Sequence, residues 1–226
     1  MIYNDIQKAI FQDRPNRFVA HVQLDGRIVV CHVKNTGRCR ELLIPGAEIY
    51  VQHREQPERK TAYDLIAVQK KGRLVNLDSA ASNRVFHEYP TSGGLGFQPE
   101  RIHPEYRHGD SRFDFYFEHG GQPRMAEVKS VTLEEDGIAR FPDAPTLRGL
   151  KHLNGLRQCV REGIPAYIIF VIQMDSVQAF EANRVAQPAF ADALRAVKQD
   201  GVQVLAYDCH VTPDSLDIAN PVPIRY

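Results

Sequence analysis

The stretch SRFDFYFEHGGQPRMAEVKSV, residues 111–131, predicts a β-hairpin and decides the fold of the second half of the chain. Successive side chains of a strand point to opposite faces, so residues two apart share a face. One face then carries the aromatic residues Phe113, Phe115 and Phe117. The other face carries Arg112, Asp114, Tyr116 and Glu118. The segment HGGQP, residues 119–123, has the composition of a turn between the two strands.

The second strand of this hairpin places an acid and a lysine side by side. Glu127 and Lys129 share one face, and the opposite face carries Ala126, Val128 and Ser130. A hairpin symmetric about the Gly-Gly pair at residues 120–121 sets Asp114 across from Glu127. In the same register, Arg112 lies across from Lys129. Two carboxylates therefore face each other on neighbouring strands.

Opposed carboxylates on a partly apolar sheet are unfavourable unless a positive group lies between them. A divalent cation is the simplest such group, because Mg²⁺ takes a few carboxylate oxygens and keeps waters that a phosphate can displace. Lys129 would project beside this ion, where it could position the attacking water or stabilise charge on a phosphate. The alternative is a solvated sheet face on which the charged groups simply meet water. The hairpin residues alone leave both interpretations open.

Composition predicts an ordinary globular protein. The chain has 226 residues, of which 43% are hydrophobic and 25% charged, and its formal net charge is zero. This length allows one full core or two modest ones, and we expect two. Its apolar runs are shorter than the 18 or so residues of a spanning helix, and MIYNDIQKAI lacks the build of a signal peptide. We therefore expect a cytoplasmic protein with no membrane contact.

The cysteines and histidines argue against a zinc site. The four cysteines form no C-x-x-C pair, and the nine histidines include no pair spaced by three residues. We expect reduced thiols at Cys31, Cys39, Cys159 and Cys209.

Residues 1–82 predict a small β domain. Short strand patterns occur at residues 17–24, 27–33, 47–54, 61–71 and 73–78. Tight-turn signals such as Asp25-Gly26 and Pro45-Gly46 separate them. Five short strands without a long helix favour a barrel of the oligonucleotide-binding (OB) kind, although periodicity does not exclude a plain meander.

A basic loop, KNTGRCRELL, joins the second and third of these strands. Lys34, Arg38 and Arg40 cluster around Gly37, where side chains and backbone N–H groups could contact phosphates. The alternative is a basic turn that serves only solvation.

Residues 83–226 predict a second domain of mixed strands and helices. Residues 79–89 read as a short helix or an irregular connector, and residues 91–100 read as a glycine-rich loop. After the hairpin, residues 137–143 predict a third strand. Buried strands are predicted within residues 164–172 and 202–211, with an amphipathic helix at residues 187–201 between them. A mixed α/β sheet covered by helices is expected.

A second helix is predicted at residues 146–163, with Thr146 as its N-cap and Gly163 at its end. Its apolar positions recur every three residues, at Leu147, Leu150, Leu153 and Leu156. Its other side is predicted to carry Arg148, Lys151 and His152.

The order β-β-β-α-β-α-β, with Asp114 on the first strand and Glu127-x-Lys129 on the second, resembles the PD-(D/E)XK nuclease core. The segments RFVAHVQLDGR, NTGRCRELLIPG, SRFDFYFE, EVKSVTL, FPDAPTLRGLKHL and GVQVLAY are together similar to the sugar fermentation stimulation protein A family. This resemblance runs along nearly the whole chain. It implies an OB-like barrel in residues 1–82 and a nuclease-like domain in residues 83–226. It also implies DNA binding and a possible regulatory role in sugar utilisation, notably of maltose.

The resemblance assigns roles to individual residues. Asp114 and Glu127 match the metal-binding acids, with the Val128 carbonyl as a further ligand, and Lys129 matches the catalytic lysine. Glu105 takes the place of the preceding acid, although Glu100 and Glu88 are alternatives. Arg148 and Lys151 would lie beside a nucleic acid strand, unless they pair instead with Asp143 or Glu127.

Two functions of different class follow. The first is a nuclease that depends on Mg²⁺ or Mn²⁺ and cleaves DNA or RNA. The second is a non-catalytic DNA-binding regulator that retains the nuclease fold. A carbohydrate-linked scaffold fits least, because the chain has no tryptophan to form a sugar platform. The sequence does not indicate the oligomeric state.

Overall fold

The computed structural model of the protein describes residues 1–35, 37–55 and 58–226. The N-terminal part folds as strands β1 (Ile6–Asn16), β2 (Val19–Leu24), β3 (Arg27–Val33), β4 (Glu48–His53), β5 (Tyr63–Lys70) and β6 (Arg73–Asn76). The basic loop lies between β3 and β4, and its residue 36 is outside the described part of the chain.

Strands β1 to β5 close into a barrel. Strand β1 pairs antiparallel with both β2 and β4, and β3 pairs parallel with β5 from Cys31–Tyr63 to Val33–Leu65. The predicted OB-like barrel is confirmed and the meander is excluded, because a meander lacks the β3–β5 pairing.

The membership of the barrel differs from the prediction in two strands. Strand β1 was not predicted, and the strand predicted at residues 73–78 is β6, a hairpin partner of β5 outside the closed ring. Strand β1 escapes a pattern search because its pairing with β2 is irregular at Phe11–Asp13 and again before Asn16, so the two-residue alternation is lost.

The second part of the chain contains three helices and ten strands among the described residues. The helices are α1 (Ala81–Thr91), α2 (Leu147–Arg161) and α3 (Pro188–Gln199). The first strands are β7 (Arg101–His108), β8 (Ser111–His119), β9 (Gln122–Val131), β10 (Leu133–Glu135) and β11 (Ile138–Phe141). The later strands are β12 (Ala166–Ile172), β13 (Ala179–Ala182), β14 (Gln203–Val211), β15 (Leu216–Pro221) and β16 (Ile224–Arg225).

A six-stranded mixed sheet forms the centre of this part, in the order β15-β14-β12-β9-β8-β7. Strands β9, β12 and β14 are parallel, and β7, β8 and β15 are antiparallel to their neighbours. Alternate residues of β12 enter two cores: Ile168 and Phe170 join the core of α2 and α3, whereas Ile169 and Val171 join the core of α1. Covering on both faces explains why the strand is apolar throughout.

The predicted hairpin register is confirmed over part of the hairpin. Regular pairs run from Phe115–Ala126 to His119–Gln122. The predicted face of Phe113 is wrong, because it packs in the core that contains Leu153, whereas Phe115 and Phe117 pack in the core of α1. The alternation breaks at Asp114, where the regular β8–β9 pairing ends.

Several local predictions are confirmed. Residues 79–89 form most of α1, and the Oγ1 of Thr146 accepts a hydrogen bond from the backbone N–H of Gly149 at 2.9 Å. All four cysteines are free and buried. Strand β7 was missed because it is an edge strand with mostly exposed residues and contains Pro104. The described residues include no helix that is both long and apolar enough to cross a membrane.

Candidate functional site

A cleft of about 260 Å³ lies between α1, the β8–β9 hairpin and the start of α2. Its lining residues are Ser79, Ala80, Ser82, Asn83, Asp114, Glu127, Val128, Lys129, Ser130 and Arg148. The hairpin contributes the predicted metal and catalytic residues, and α2 contributes one predicted phosphate-binding residue. The structure thus brings Asp114, Glu127, Val128, Lys129 and Arg148 together.

The carboxylate of Asp114 is held by two hydrogen bonds. Its Oδ1 accepts from the amide of Asn83 at 3.0 Å, and its Oδ2 accepts from the backbone N–H of Val128 at 2.8 Å. Burial raises the pKa of Asp114, and the negative charge of Glu127 raises it further. The surroundings of Asp114 therefore do not fully compensate the burial of its ionised form.

Glu127 is the most buried acid of the cleft, with 1% of its surface exposed. Its Oε1 contacts both the Nζ of Lys129 and the Nδ1 of His152. Burial opposes ionisation, but His152 and Lys129 outweigh it and lower the pKa of Glu127. Its Oε2 is buried and has no hydrogen-bond partner among the described residues. One oxygen of a buried carboxylate therefore lacks a compensating group.

His152 lies inside the molecule, contrary to the prediction that it shares the exposed side of α2 with Arg148 and Lys151. Only 9% of its surface is exposed, and its Nε2 lies 3.3 Å from the Nε of Arg148. The predicted leucine stripe fails at its first position, where Leu147 is 85% exposed. An α-helix has 3.6 residues per turn, so residues spaced by three do not stay on one face along its length. The buried face of α2 therefore includes His152 and leaves out Leu147.

The predicted third acid lies outside the cleft. Glu105 is exposed and pairs with Arg112. The two alternatives are also engaged elsewhere: Glu100 accepts a hydrogen bond from the N–H of Gly120, and Glu88 pairs with the amino group of Met1. The described residues contain no cluster of three His, Cys, Asp or Glu side chains that could hold a metal. The acids of this cleft are Asp114 and Glu127.

The predicted nucleic-acid-binding residues separate into two groups. Lys34 pairs with Asp78, a fully buried carboxylate that also pairs with Arg84 at 2.6 Å. Arg38 and Arg40 are instead exposed. Neither of these arginines forms an ion pair with any residue that the structure describes.

Arg38 and Arg40 line a second cleft, of about 580 Å³, on the surface of the barrel together with Arg14 and Arg17. The two terminal nitrogens of the Arg14 guanidinium donate to four backbone carbonyls at 2.7–2.9 Å. The accepting residues are Arg17, Asn35, Gly37 and Arg38. Arg14 thus stabilises the shape of the basic loop. Nothing in the sequence pattern marked it for this role.

A third cleft, of about 350 Å³, lies between the other two. It shares Gly37 with the barrel cleft, and it shares Ser79, Lys129, Ser130 and Arg148 with the cleft of the acids. The backbone N–H of Arg38 donates to Asp143 at 3.1 Å across this boundary. The three clefts therefore adjoin, from the barrel arginines to Asp114 and Glu127. Lys151 is exposed and lines none of the three.

Comparison with known proteins identifies the family. The family model described as "Sugar fermentation stimulation protein RE domain" matches residues 80–215, and the model "SfsA N-terminal OB domain" matches residues 13–77. The chain belongs to the sugar fermentation stimulation protein family. The predicted family membership is confirmed.

Relatives of this family match over the full length of the chain. Sugar fermentation stimulation protein homologs of Clostridium beijerinckii and Desulfitobacterium hafniense are 49% and 48% identical, over 99% and 100% of this chain and 99% and 98% of theirs. A solved structure, described as Pyrococcus furiosus SfsA in complex with Ca²⁺, matches with a TM-score of 0.90 and 27% identity. The match covers 100% of this chain and 98% of that one.

Proposed function

We propose that this chain is a divalent-metal-dependent phosphodiesterase that acts on nucleic acid, DNA or RNA. The observation that carries the proposal is the Oε2 of Glu127, a buried carboxylate oxygen without a hydrogen-bond partner in the described structure. It belongs to the same cleft as Asp114, whose pKa is raised by burial. A cation between the two carboxylates would satisfy both groups at once.

The donor set fits Mg²⁺ or Mn²⁺. Asp114, Glu127 and the carbonyl of Val128 would hold the ion, which leaves its other positions for water and a phosphate. Hard cations of this kind accept one or two carboxylates, so a third acid such as Glu105 is not required. When bound, the ion would polarise a phosphoryl oxygen and lower the pKa of a water molecule.

The other residues of the cleft would act on the phosphate and the attacking water. Lys129 is anchored through Glu127, and its remaining N–H groups could orient a water or meet developing negative charge. Arg148 is exposed, and its terminal nitrogens have no partner among the described residues. A guanidinium of this kind suits a phosphate, because it can donate two parallel hydrogen bonds.

The barrel would hold the nucleic acid strand. Arg38 and Arg40 lie in a cleft that adjoins the acids, and the described residues provide no carboxylate that pairs with them. Phosphate contacts of this kind position a strand without reading its sequence. We assign Lys34 to the support of the loop, because Asp78 engages it.

A relative supports a hard cation in this family. The solved Pyrococcus furiosus structure is described as a complex with Ca²⁺, which prefers oxygen ligands as Mg²⁺ does. The second candidate is a non-catalytic DNA-binding regulator of sugar metabolism. It is favoured by the names of the relatives, which refer to the stimulation of sugar fermentation.

Cleavage by the purified full-length protein tests the proposal. Single-stranded DNA, double-stranded DNA and RNA would be incubated with Mg²⁺ or Mn²⁺, and parallel samples would contain EDTA. We expect metal-dependent cleavage that falls at least about 100-fold in Asp114→Asn, Glu127→Gln and Lys129→Ala, as is usual when an electrostatic catalytic group is removed.

Asp110→Asn and Glu118→Gln are matched controls, because Asp110 lies in the turn before β8 and Glu118 lies near the end of β8, both outside the cleft. They should cleave at the unchanged rate. If DNA binds but no substrate is cleaved with either metal, the regulator is the correct function. If cleavage persists in Asp114→Asn, the assigned site is wrong.

A further inference from the structure

His152 connects the candidate metal ligand with the candidate phosphate ligand. Its Nδ1 contacts the Oε1 of Glu127. Its Nε2 lies 3.3 Å from the Nε of Arg148, one helical turn earlier on α2. Only 11% of the imidazole side chain is exposed, so water does not substitute readily for either contact.

The partners of the ring define its tautomer. The Nε of Arg148 carries a hydrogen and can only donate, so the Nε2 of His152 must accept. Glu127 is ionised and can only accept, so the Nδ1 of His152 must donate. The Nζ of Lys129 lies 3.2 Å from Nδ1 and donates to the same Glu127 oxygen. The neutral Nδ1–H form satisfies the contacts with Glu127 and Arg148, whereas the Nε2–H form satisfies neither of these two and only lets Nδ1 accept from Lys129.

We infer that His152 is the positioning residue of this site: its Nδ1–H fixes the Glu127 carboxylate while its Nε2 fixes the Arg148 guanidinium. The inference rests on the proposed function, because it assumes that Glu127 holds a cation and Arg148 meets a phosphate. With Oε1 occupied by His152 and Lys129, Oε2 is the oxygen left for the ion. Because the Nε of Arg148 donates to His152, its two terminal nitrogens are left to donate to a phosphate.

The chemistry of the position explains why a histidine suits it. A buried carboxylate here would add negative charge beside Glu127, and a lysine or arginine would repel Arg148. A neutral imidazole donates on one side and accepts on the other. Partners that orient a ligand in this way commonly change metal affinity or activity by about 10- to 100-fold when they are removed.

The tautomer is tested directly by nitrogen NMR of the full-length protein labelled with ¹⁵N-histidine, without metal. The His152 signals are those that disappear in His152→Gln. We expect a protonated Nδ1 and an unprotonated Nε2, and we expect Arg148→Ala to move the Nε2 signal while Nδ1 remains protonated. A protonated Nε2 in the unchanged protein would overturn the bridge.

Metal binding tests the contact between His152 and Glu127 and requires no cleavage. Calorimetric titration with Mn²⁺ should show an affinity about 10- to 100-fold lower in His152→Ala. His152→Asn should retain most of the affinity, because its side-chain amide can still donate to Glu127. Equal Mn²⁺ affinity in His152→Ala and the unchanged protein would refute the positioning role and leave the proposed function standing. If the unchanged protein binds no Mn²⁺, the proposed function fails, and the NMR tautomer alone decides the bridge.

The contact between His152 and Arg148 predicts a different defect in His152→Asn, because the shorter asparagine side chain cannot reach Arg148. Its KM for a cleaved strand should rise with little change in kcat, and adding Arg148→Ala should cause no further rise. Additive effects of the two substitutions would show that the ring does not act through Arg148. Thermal unfolding identifies any variant that fails to fold, and in that case the tautomer found by nitrogen NMR in the unchanged protein decides the inference.

Discussion

Asp114 and Glu127 lie in one cleft, yet their pKa values shift in opposite directions. Burial raises the pKa of Asp114, whereas His152 and Lys129 overcome the burial of Glu127 and lower its pKa. Ionised Glu127 is stabilised by the charge of Lys129 and by hydrogen bonds from Lys129 and His152, whereas burial and the charge of Glu127 disfavour ionised Asp114. The two acids would therefore be unequal ligands of the proposed cation.

Stability at different pH values tests this difference. The pKa of Asp114 is higher in the folded state than in the unfolded state, so ionisation of Asp114 lowers the free energy of unfolding. This loss of stability disappears as the pH falls through the raised folded-state pKa. In EDTA at neutral pH, Asp114→Asn should therefore be more stable than the unchanged protein, and the difference should shrink on acidification. Urea unfolding at a series of pH values measures it. Asp110→Asn, in an exposed turn, should show no such pH dependence.

Glu127 should have the opposite pH dependence. Its lowered folded-state pKa contributes stability above its unfolded-state pKa, and this contribution is lost as the pH falls through the folded-state value. Glu127→Gln should therefore be less stable than the unchanged protein at neutral pH, by an amount that decreases in acid. The same urea series measures the effect, and Glu118→Gln, at a partly exposed acid outside the cleft, serves as the control. A Glu127→Gln variant more stable at neutral pH would contradict the assigned ion pair.

At the scale of elements, helix α2 positions Arg148 and His152 in the candidate site. Its cap at Thr146 lies two residues before Arg148 and six before His152, so the first two turns hold both side chains. The interior of the helix approaches β8 closely at Gly155, where an added Cβ would lie 3.2 Å from the ring of Phe113. The cap and the close approach together fix how α2 meets the hairpin that carries Asp114.

Removal of the cap should loosen this element. Thr146→Ala leaves the N–H of Gly149 without its acceptor and should lower the free energy of unfolding by about 1 kcal/mol. Thr146→Ser retains the hydroxyl and should recover most of the loss. Leu147→Ala, at a neighbouring exposed position, should change stability by less than about 0.5 kcal/mol. Urea unfolding with an unchanged m-value provides the measurement, and a loss equal in Thr146→Ser and Thr146→Ala would exclude the cap as its cause.

At the scale of the whole molecule, a buried ion network joins the barrel to the second sheet. Asp78 is fully buried and pairs with Lys34 from the barrel loop and with Arg84 from α1. The side chain of Asn83, the neighbour of Arg84, holds Asp114. The barrel loop and the candidate metal site are thus supported by one junction.

Breaking this junction should cost more than breaking a surface pair. Asp78→Asn leaves two cations facing a neutral amide and should lower the free energy of unfolding by about 3 kcal/mol, at the lower end for buried pairs because Arg84 is half exposed. Asp217→Asn, which removes an exposed partner of the Met1 amino group, should cost less than about 1 kcal/mol. Equal effects of the two substitutions in urea unfolding would contradict a buried junction.

Nucleic acid binding should depend on salt through the barrel arginines. If Arg38 and Arg40 each contact a phosphate, replacing both with glutamine should reduce the slope of log affinity against log salt by about one per arginine. Arg101→Gln with Arg161→Gln removes the same charge from exposed positions outside the three clefts and should leave the slope unchanged. Fluorescence anisotropy with a labelled strand provides the slopes.

The sequence by itself determined the local elements. Alternation in residues 111–131 predicted the hairpin and the register that the pairs from Phe115–Ala126 onward confirm, because side-chain direction in a strand follows from local geometry. The cap at Thr146 was predictable for the same reason, since it involves only Thr146 and Gly149, which lie three residues apart. The juxtaposition of Asp114 with Glu127-x-Lys129 also lay within one hairpin.

Only the tertiary structure decided contacts between distant segments. It decided that Ile6–Asn16 closes the barrel, that His152 turns inward to Glu127, that Asp78 engages Lys34, and that Glu105 lies outside the cleft. In each case the local pattern allows more than one partner. The choice depends on which burial and charge pairing the packed elements make available, and residues far apart in the chain supply that information.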